Sequence, residues 1–385
     1  MTLQPRLISS AWQRLLCLAK AQLRRDCSVS TRQHISHSIP RLQDSKDTWD
    51  PNNITTAKYY GLSTFANLPY VHGLAPEGQP VEPYDIAILG APFDTGTTGR
   101  SGARDGPTAV RHASQRIHPE FNTSIYTQRN ALSSWARIVD TGDVPLTPHD
   151  NILALDQLSQ AHQILTSRPA ASHTHRIPRV ITLGGDHTTT LPALRTLRPI
   201  WGPLTLIHLD AHIDTWTPAS LGASTIYSSI NHGTVFHHAA AEGLLSPKGS
   251  THAGIRCALS SPQDMEHDRE CGFTTITARD IDSLGVAGVV RRILDSVGGR
   301  KAYVSVDVDV LDPAFAPGTG TPEPGGWSVR EVLGVLDGLE GVEVVGADVV
   351  EVAPAYDSRG QITGLAAAEV VKSLVGLMVA KPVTP

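Results

Sequence analysis

From about residue 80 the chain alternates short β-rich runs with stretches of helical periodicity, with polar breaks between them. The β-rich runs are DIAILG (85–90), ARIVD (136–140), RVITLG (179–184), PLTLIHLD (203–210), HAGIRC (252–257), GFTTIT (272–277), KAYVSVDVDV (301–310) and VEVVGADVV (342–350). Several are almost continuously apolar, the composition of strands covered on both faces. Between them lie DNILALDQLSQAHQILTS, with Asp150 or Asn151 placed to cap a helix, and TGLAAAEVVKSLVGLMVA near the C-terminus. This alternation predicts a parallel sheet sandwiched between helix layers. No repeat or linker interrupts residues 80–380, so one domain is expected over 83–385. Residues 46–82, including YYGLSTFANLPYVHGL, read as an extension packed on it.

Ligands of open parallel sheets bind at the carboxyl ends of the strands. Polar residues gather there: GGDH after the third run, DAHID after the fourth, DVDVLDP after the seventh and VVEVAP after the eighth. In IHLDAHIDTW (207–216), strand alternation would put His208, Asp210, His212 and Asp214 on one face. Asp307 and Asp309 repeat the spacing of two, and His187 follows a glycine pair. So many carboxylates in one place repel one another unless cations neutralise them. His187, Asp210, His212, Asp214, Asp307 and Asp309 exceed the needs of one ion and suit two ions sharing carboxylates, ~3.5–4 Å apart. Oxygen-rich ligation without cysteine favours manganese over zinc. Asp186 and Asp312 read as partners that orient the ligating histidines, and His208 as a hydrogen-bonded core histidine.

Composition excludes several other classes. A net charge of −5, with no basic stripe interleaved with aromatics, gives nucleic acid no footing. Cys17, Cys27, Cys257 and Cys271 form no CxxC pair and read as ordinary thiols. No apolar run approaches the ~20 residues of a membrane span. The first forty residues differ: Arg6, Arg14, Lys20, Arg24, Arg25 and Arg32 stand against one acid, Asp26, with Ile8, Trp12, Leu15, Leu16, Ala19 and Leu23 on one helical face. That is the pattern of a mitochondrial targeting segment, assigned to residues 1–45; the other reading is a basic tail on a cytoplasmic protein.

LGGDHTTTLPAL, HLDAHIDTW, NHGTVF and SVDVDVLDPAFAPGTGTPEPGG resemble, in order and spacing, the ureohydrolase (arginase and agmatinase) family. GAPFDTGTTGRSGARDGPTAVR and VVEVAPAYDSRGQITGLAAAE extend the resemblance over about residues 60–380. It implies a three-layer α/β/α sandwich about a mainly parallel eight-stranded sheet, and two Mn2+ ions per chain. By matching position, His187, Asp210, Asp214 and Asp307 would hold one ion, and Asp210, His212, Asp307 and Asp309 the other. The implied reaction hydrolyses a small guanidino substrate to urea and an amine. Glu351 matches the carboxylate that pairs with the guanidinium, and His232 the histidine that protonates the leaving amine. Family members commonly form trimers or hexamers, so a homo-oligomer is expected.

TPASLGASTIYSSINHG (217–233) replaces the GNLHG-like loop of arginases and is similar to the agmatinase branch, particularly its fungal members. Agmatine, giving putrescine and urea, is the first substrate expectation, and 4-guanidinobutyrate or another ω-guanidino acid the second. Arg100 and Arg104 are candidate contacts for an anionic tail but do not discriminate between the two. A single-zinc deacetylase and a non-catalytic relative are the readings from other classes; the doubled aspartate motifs speak against the first, and the complete set of site residues against the second.

Overall fold

The computed structural model describes residues 61–173 and 177–384. The segment read from sequence as targeting, the first part of the expected extension, Cys17 and Cys27 lie outside the described residues. The described residues belong to one compact unit, 57–385.

All eight β-rich runs form strands: β1 (Ile86–Gly90), β2 (Ile138–Asp143), β3 (Arg179–Leu183), β4 (Thr205–Leu209), β5 (Ser250–Ile255), β6 (Phe273–Thr277), β7 (Ala302–Asp307) and β8 (Val344–Val350). They make one sheet in the order β2-β1-β3-β8-β7-β4-β5-β6, and every pairing is parallel. Every residue of β1, β3, β4, β7 and β8 is buried, which is why those runs show little polar alternation. At the edge, β6 keeps polar residues at exposed and half-buried positions.

The helices are α1 (Gly106–Ala113), α2 (Asn151–Ser167), α3 (Thr190–Trp201), α4 (Ile226–Ser229), α5 (Val235–Ala241), α6 (Gln263–Glu270), α7 (Asp280–Val297), α8 (Val329–Gly338) and α9 (Ile362–Ala380). Packing divides most of them into two sets that flank the sheet: α1, α7, α8 and α9 pack in sequence on one another, as do α2, α3 and α5. Asp150 caps α2 as expected, accepting from the N–H groups of Ile152 and Leu153 at 3.0 and 3.1 Å. α9 is long and apolar enough to cross a membrane, but it is a core helix, with Val370, Val371, Leu374, Val375 and Met378 buried.

In residues 61–82, Phe65 is buried; its N–H donates to Asp140 Oδ2 at 2.7 Å, and Ala66 N–H donates to Ser114 Oγ at 2.8 Å. The sheet order has a chemical consequence. β3, β8, β7 and β4, whose ends carry the four polar clusters, are consecutive neighbours at its centre.

Candidate metal centre

β4 stops at Leu209, and β7 at Asp307, followed by a 3-10 turn over Val308–Val310. The aspartates therefore do not line one strand face, as alternation suggested; they converge from turns. The spacing of two has a different physical cause: each leading aspartate caps its own turn. Asp210 Oδ1 accepts from His212 N–H at 2.5 Å, and Asp307 Oδ1 from Asp309 N–H at 2.8 Å. Asp309 Oδ1 ties the two turns by accepting from Ala211 N–H at 3.0 Å. Asp214 completes the first turn with a left-handed φ of 53°, strain that its surroundings must hold.

The six sequence-predicted groups meet in two overlapping sets. His187 Nδ1 lies 3.1 Å from Asp210 Oδ2, 2.9 Å from Asp214 Oδ2 and 3.4 Å from Asp307 Oδ2. His212 Nδ1 lies 2.9 Å from Asp309 Oδ2 and 3.3 Å from Asp210 Oδ1. Asp210 thus offers one oxygen to each set. Asp307 faces the His187 set and couples electrostatically to Asp309 and Asp210.

Hydrogen bonding behind His187 decides which nitrogen faces the carboxylates. Ser305 Oγ gives its proton to Asp348 Oδ1 at 2.6 Å, so at its 2.8 Å contact with His187 it accepts from Nε2–H. Nδ1 is left facing three carboxylates, buried and without a well-directed hydrogen bond to any of them. Relieved of its proton, its lone pair among carboxylates is a cation's donor set. Among the described residues no lysine or arginine forms an ion pair with Asp210, Asp214, Asp307 or Asp309. Burial and neighbouring Asp210 push Asp309 up to about 6, and burial with Asp309 and Asp210 raises Asp307 well above the carboxylate range. Burial would lower His187 and His212, but the carboxylates around them win and raise both well above the imidazole range. Without cations the cluster holds protons instead, so these His/Asp groups fit a binuclear metal site. Cys257 stands nearby, where burial pushes its thiol up to about 12.

The glycine pair before Asp186 acts by size. A Cβ on Gly185 would lie 1.7 Å from the Phe93 carbonyl oxygen, so no side chain fits where the loop after β1 crosses. Asp186 does not orient a ligating imidazole: it accepts from Gly96 N–H at 2.8 Å and Thr188 N–H at 2.9 Å, and starts the turn carrying His187. Asp312 likewise accepts from the N–H groups of Ala314, Gly325 and Gly326, closing a loop instead of touching a histidine. In both cases backbone donors lie within reach and the imidazoles do not. His208 is the buried histidine expected; its Nε2 is engaged with Asp210 Oδ2 at 2.8 Å, which spends it as a ligand.

Glu351 ends β8 with a left-handed φ of 62°. Its Oε1 accepts from His187 N–H at 3.0 Å and from His232 Nδ1 at 2.9 Å, while Oε2 is buried with no partner. A Cβ on Gly320 would lie 3.6 Å from Oε2, an ordinary contact, but 2.6 Å from the Arg100 carbonyl oxygen, so the backbone crossing bars a side chain there. The loop after β1 holds His232 in place: its N–H donates to Gly96 O at 3.0 Å, and Thr98 meets Nε2 with both N–H (2.9 Å) and Oγ1 (2.7 Å). Thr98 serves either protonation state, since its N–H donates to a bare Nε2 and its hydroxyl oxygen accepts from a protonated one. Burial would lower His232, but Glu351, Asp214 and Asp186 outweigh it and raise it to about 9. Arg104 is paired with Asp94 at 2.7 Å, and the Arg100 guanidinium lies over the Tyr356 ring.

Thr98, Ser305, Asp348, His252 and Asp268 were not singled out from sequence. Asp348 left a trace, a carboxylate inside an apolar strand run, where a buried charge demands partners. The others left none, because their contacts cross between elements far apart in the chain.

The Arginase family model matches residues 84–376. A Schizosaccharomyces pombe protein named "Putative agmatinase 1" is 46% identical over 335 residues, covering 84% of this chain and 84% of that one. A second from the same organism, "Putative agmatinase 3", is 45% identical over 365 residues, covering 92% and 88%. The structure of proclavaminate amidino hydrolase from Streptomyces clavuligerus is similar at a TM-score of 0.73 and 38% identity, covering 84% of this chain and 99% of that one.

Proposed function

The chain belongs to the arginase family and is a ureohydrolase acting on amidino compounds; from that premise we propose that it cleaves agmatine to putrescine and urea with two manganese ions. His187, Asp210, Asp214 and Asp307 would hold one ion, and Asp210, His212, Asp307 and Asp309 the other. Such a pair, when bound, neutralises the carboxylates and acidifies a water for attack.

The observation that carries the reading is Glu351 Oε2, a buried carboxylate oxygen without a partner beside the two cation sets. Left unmatched, it costs desolvation energy; a planar guanidinium supplies the missing donors and is oriented by them. Water adds to the guanidinium carbon and the bond from that carbon to the alkyl-bearing nitrogen breaks; the water's oxygen stays on the carbon as the urea carbonyl, and its two protons end on this nitrogen, which leaves as an ammonium. His232 is placed to pass that proton, with Glu351 holding one ring nitrogen and Thr98 the other.

A cationic tail fits the rim better than an anionic one. The partly exposed Glu323 carboxylate lies 3.7 Å from His212 Nε2, while Arg104 is already neutralised by Asp94. Urea release from agmatine, 4-guanidinobutyrate, 3-guanidinopropionate and arginine by manganese-loaded protein tests this. Agmatine should lead; a lead for an ω-guanidino acid would keep the chemistry and overturn the tail assignment.

A further inference from the structure

Asp268 lies in α6, away from the cation sets, yet it is completely buried and accepts three hydrogen bonds. Two of these lead back to the centre by different routes. Along the first, Asp268 Oδ1 accepts from His252 Nε2 at 2.9 Å, His252 Nδ1 meets His208 Nδ1 at 2.6 Å, and His208 Nε2 meets Asp210 Oδ2 at 2.8 Å. His208 and His252 are register partners on β4 and β5, which sets the two rings side by side. Along the second, Asp268 Oδ1 accepts from Thr215 Oγ1 at 2.7 Å, and Thr215 directly follows Asp214 with its left-handed backbone. The third bond, from Thr275 Oγ1 at 3.4 Å, ties the carboxylate to β6.

Aromatic rings enclose the route. Phe273 stacks on His252 at 4.0 Å and 6°, and Phe236 meets His208 edge-on at 4.7 Å. In such a setting hydrogen bonds hold direction strongly, because no water competes for them. The shared carboxylate of two cation sets needs that control, since rotation about its last bond would withdraw an oxygen from one set.

We infer that Asp268 is a positioning residue for the two-cation centre, orienting Asp210 through His252 and His208 and securing the Asp214 turn through Thr215. This rests on the two-cation reading proposed above. It makes an asymmetric prediction, because Asp210 serves both sets and Asp214 only the His187 set.

The test is manganese chloride titrated into chelator-stripped full-length protein, followed by calorimetry and metal count per chain, with metal-free melting temperatures alongside. Asp268→Asn and His252→Phe should weaken both ions about 10- to 100-fold, the range for partners of metal ligands. Thr215→Val, which removes one hydroxyl at constant shape, should weaken one ion and leave the other near its parental affinity. Variants that lower the metal-free melting temperature yet bind two ions with parental affinity would reduce Asp268 to a strut between β4, β5, β6 and α6, and overturn the inference. Should Asp268→Asn fail to fold, the single-arm variants carry the test. Fewer than two ions on the parent would sink the two-cation reading itself, a result visible before any variant is made.

Discussion

Two buried acid clusters sit at strand ends, and they solve the same electrostatic problem in opposite ways. At the end of β2, Arg111 binds both oxygens of Asp140, at 2.8 and 3.0 Å, and reaches Asp143 at 2.5 Å. Asp140 is further satisfied by Phe65 N–H at 2.7 Å and Gly142 N–H at 2.9 Å. That cluster contains its own cation. At the ends of β4 and β7, four carboxylates face two imidazoles, no arginine or lysine among the described residues forms an ion pair with them, and protons are held where charge is missing. A self-neutralised cluster is structural, whereas one lacking a cation is built to receive one.

The contrast breaks first at the shared ligands. Asp210→Asn or Asp307→Asn should lower manganese affinity by more than ~100-fold, beyond the range for partners of ligands, with urea release lost in parallel; two ions retained per chain would contradict sharing. Glu351→Ala should instead keep both ions while kcat/KM falls by ~10³-fold, since it removes an orienting acceptor and no ligand. Metal analysis beside steady-state kinetics separates the two cases. At the self-neutralised cluster, Arg111→Met should cost ~3–5 kcal/mol in chemical denaturation by leaving Asp140 buried and unpaired, while the folded fraction still binds two ions. Chelation should act on the other cluster alone, destabilising the protein by ~3 kcal/mol relative to ion at 100 times its Kd; an unchanged melting temperature would count against the site.

The smallest effect concerns pH. With its pKa raised to about 9, His232 keeps its proton well beyond the usual imidazole range. Glu351, the carboxylate that raises it most, is not among the proposed ion ligands, so the acid form is lost above the usual imidazole range and kcat/KM should fall there by ~10-fold per unit. His232→Asn should lower the rate and abolish this limb; a parental limb near 6.5 would remove His232 as the proton donor.

The strands were legible because covered parallel strands must be apolar and short: RVITLG and VEVVGADVV read as strands and are β3 and β8. That six acidic and imidazole residues cluster at the strand ends was legible because charges there need a reason. What sequence misassigned is instructive. Asp186 and Asp312 look, by charge and position, like partners for ligating histidines, but nearby backbone donors claimed them. The even spacing in HLDAHID looked like strand alternation and is an aspartate-capped turn.

Sequence by itself determined the eight strands, the parallel sheet, and the acid and imidazole content at the ends of β3, β4, β7 and β8, because burial and charge repulsion act on composition and local spacing. Tertiary structure alone decided which nitrogen of His187 faces the carboxylates, that Glu351 keeps one oxygen free, that Thr98 serves His232, and that Asp268 reaches two ligand segments. Each of these depends on a hydrogen bond between residues tens to hundreds of positions apart, whose direction follows from strand order and register. The same residue types at the same spacing would be mute in another sheet order.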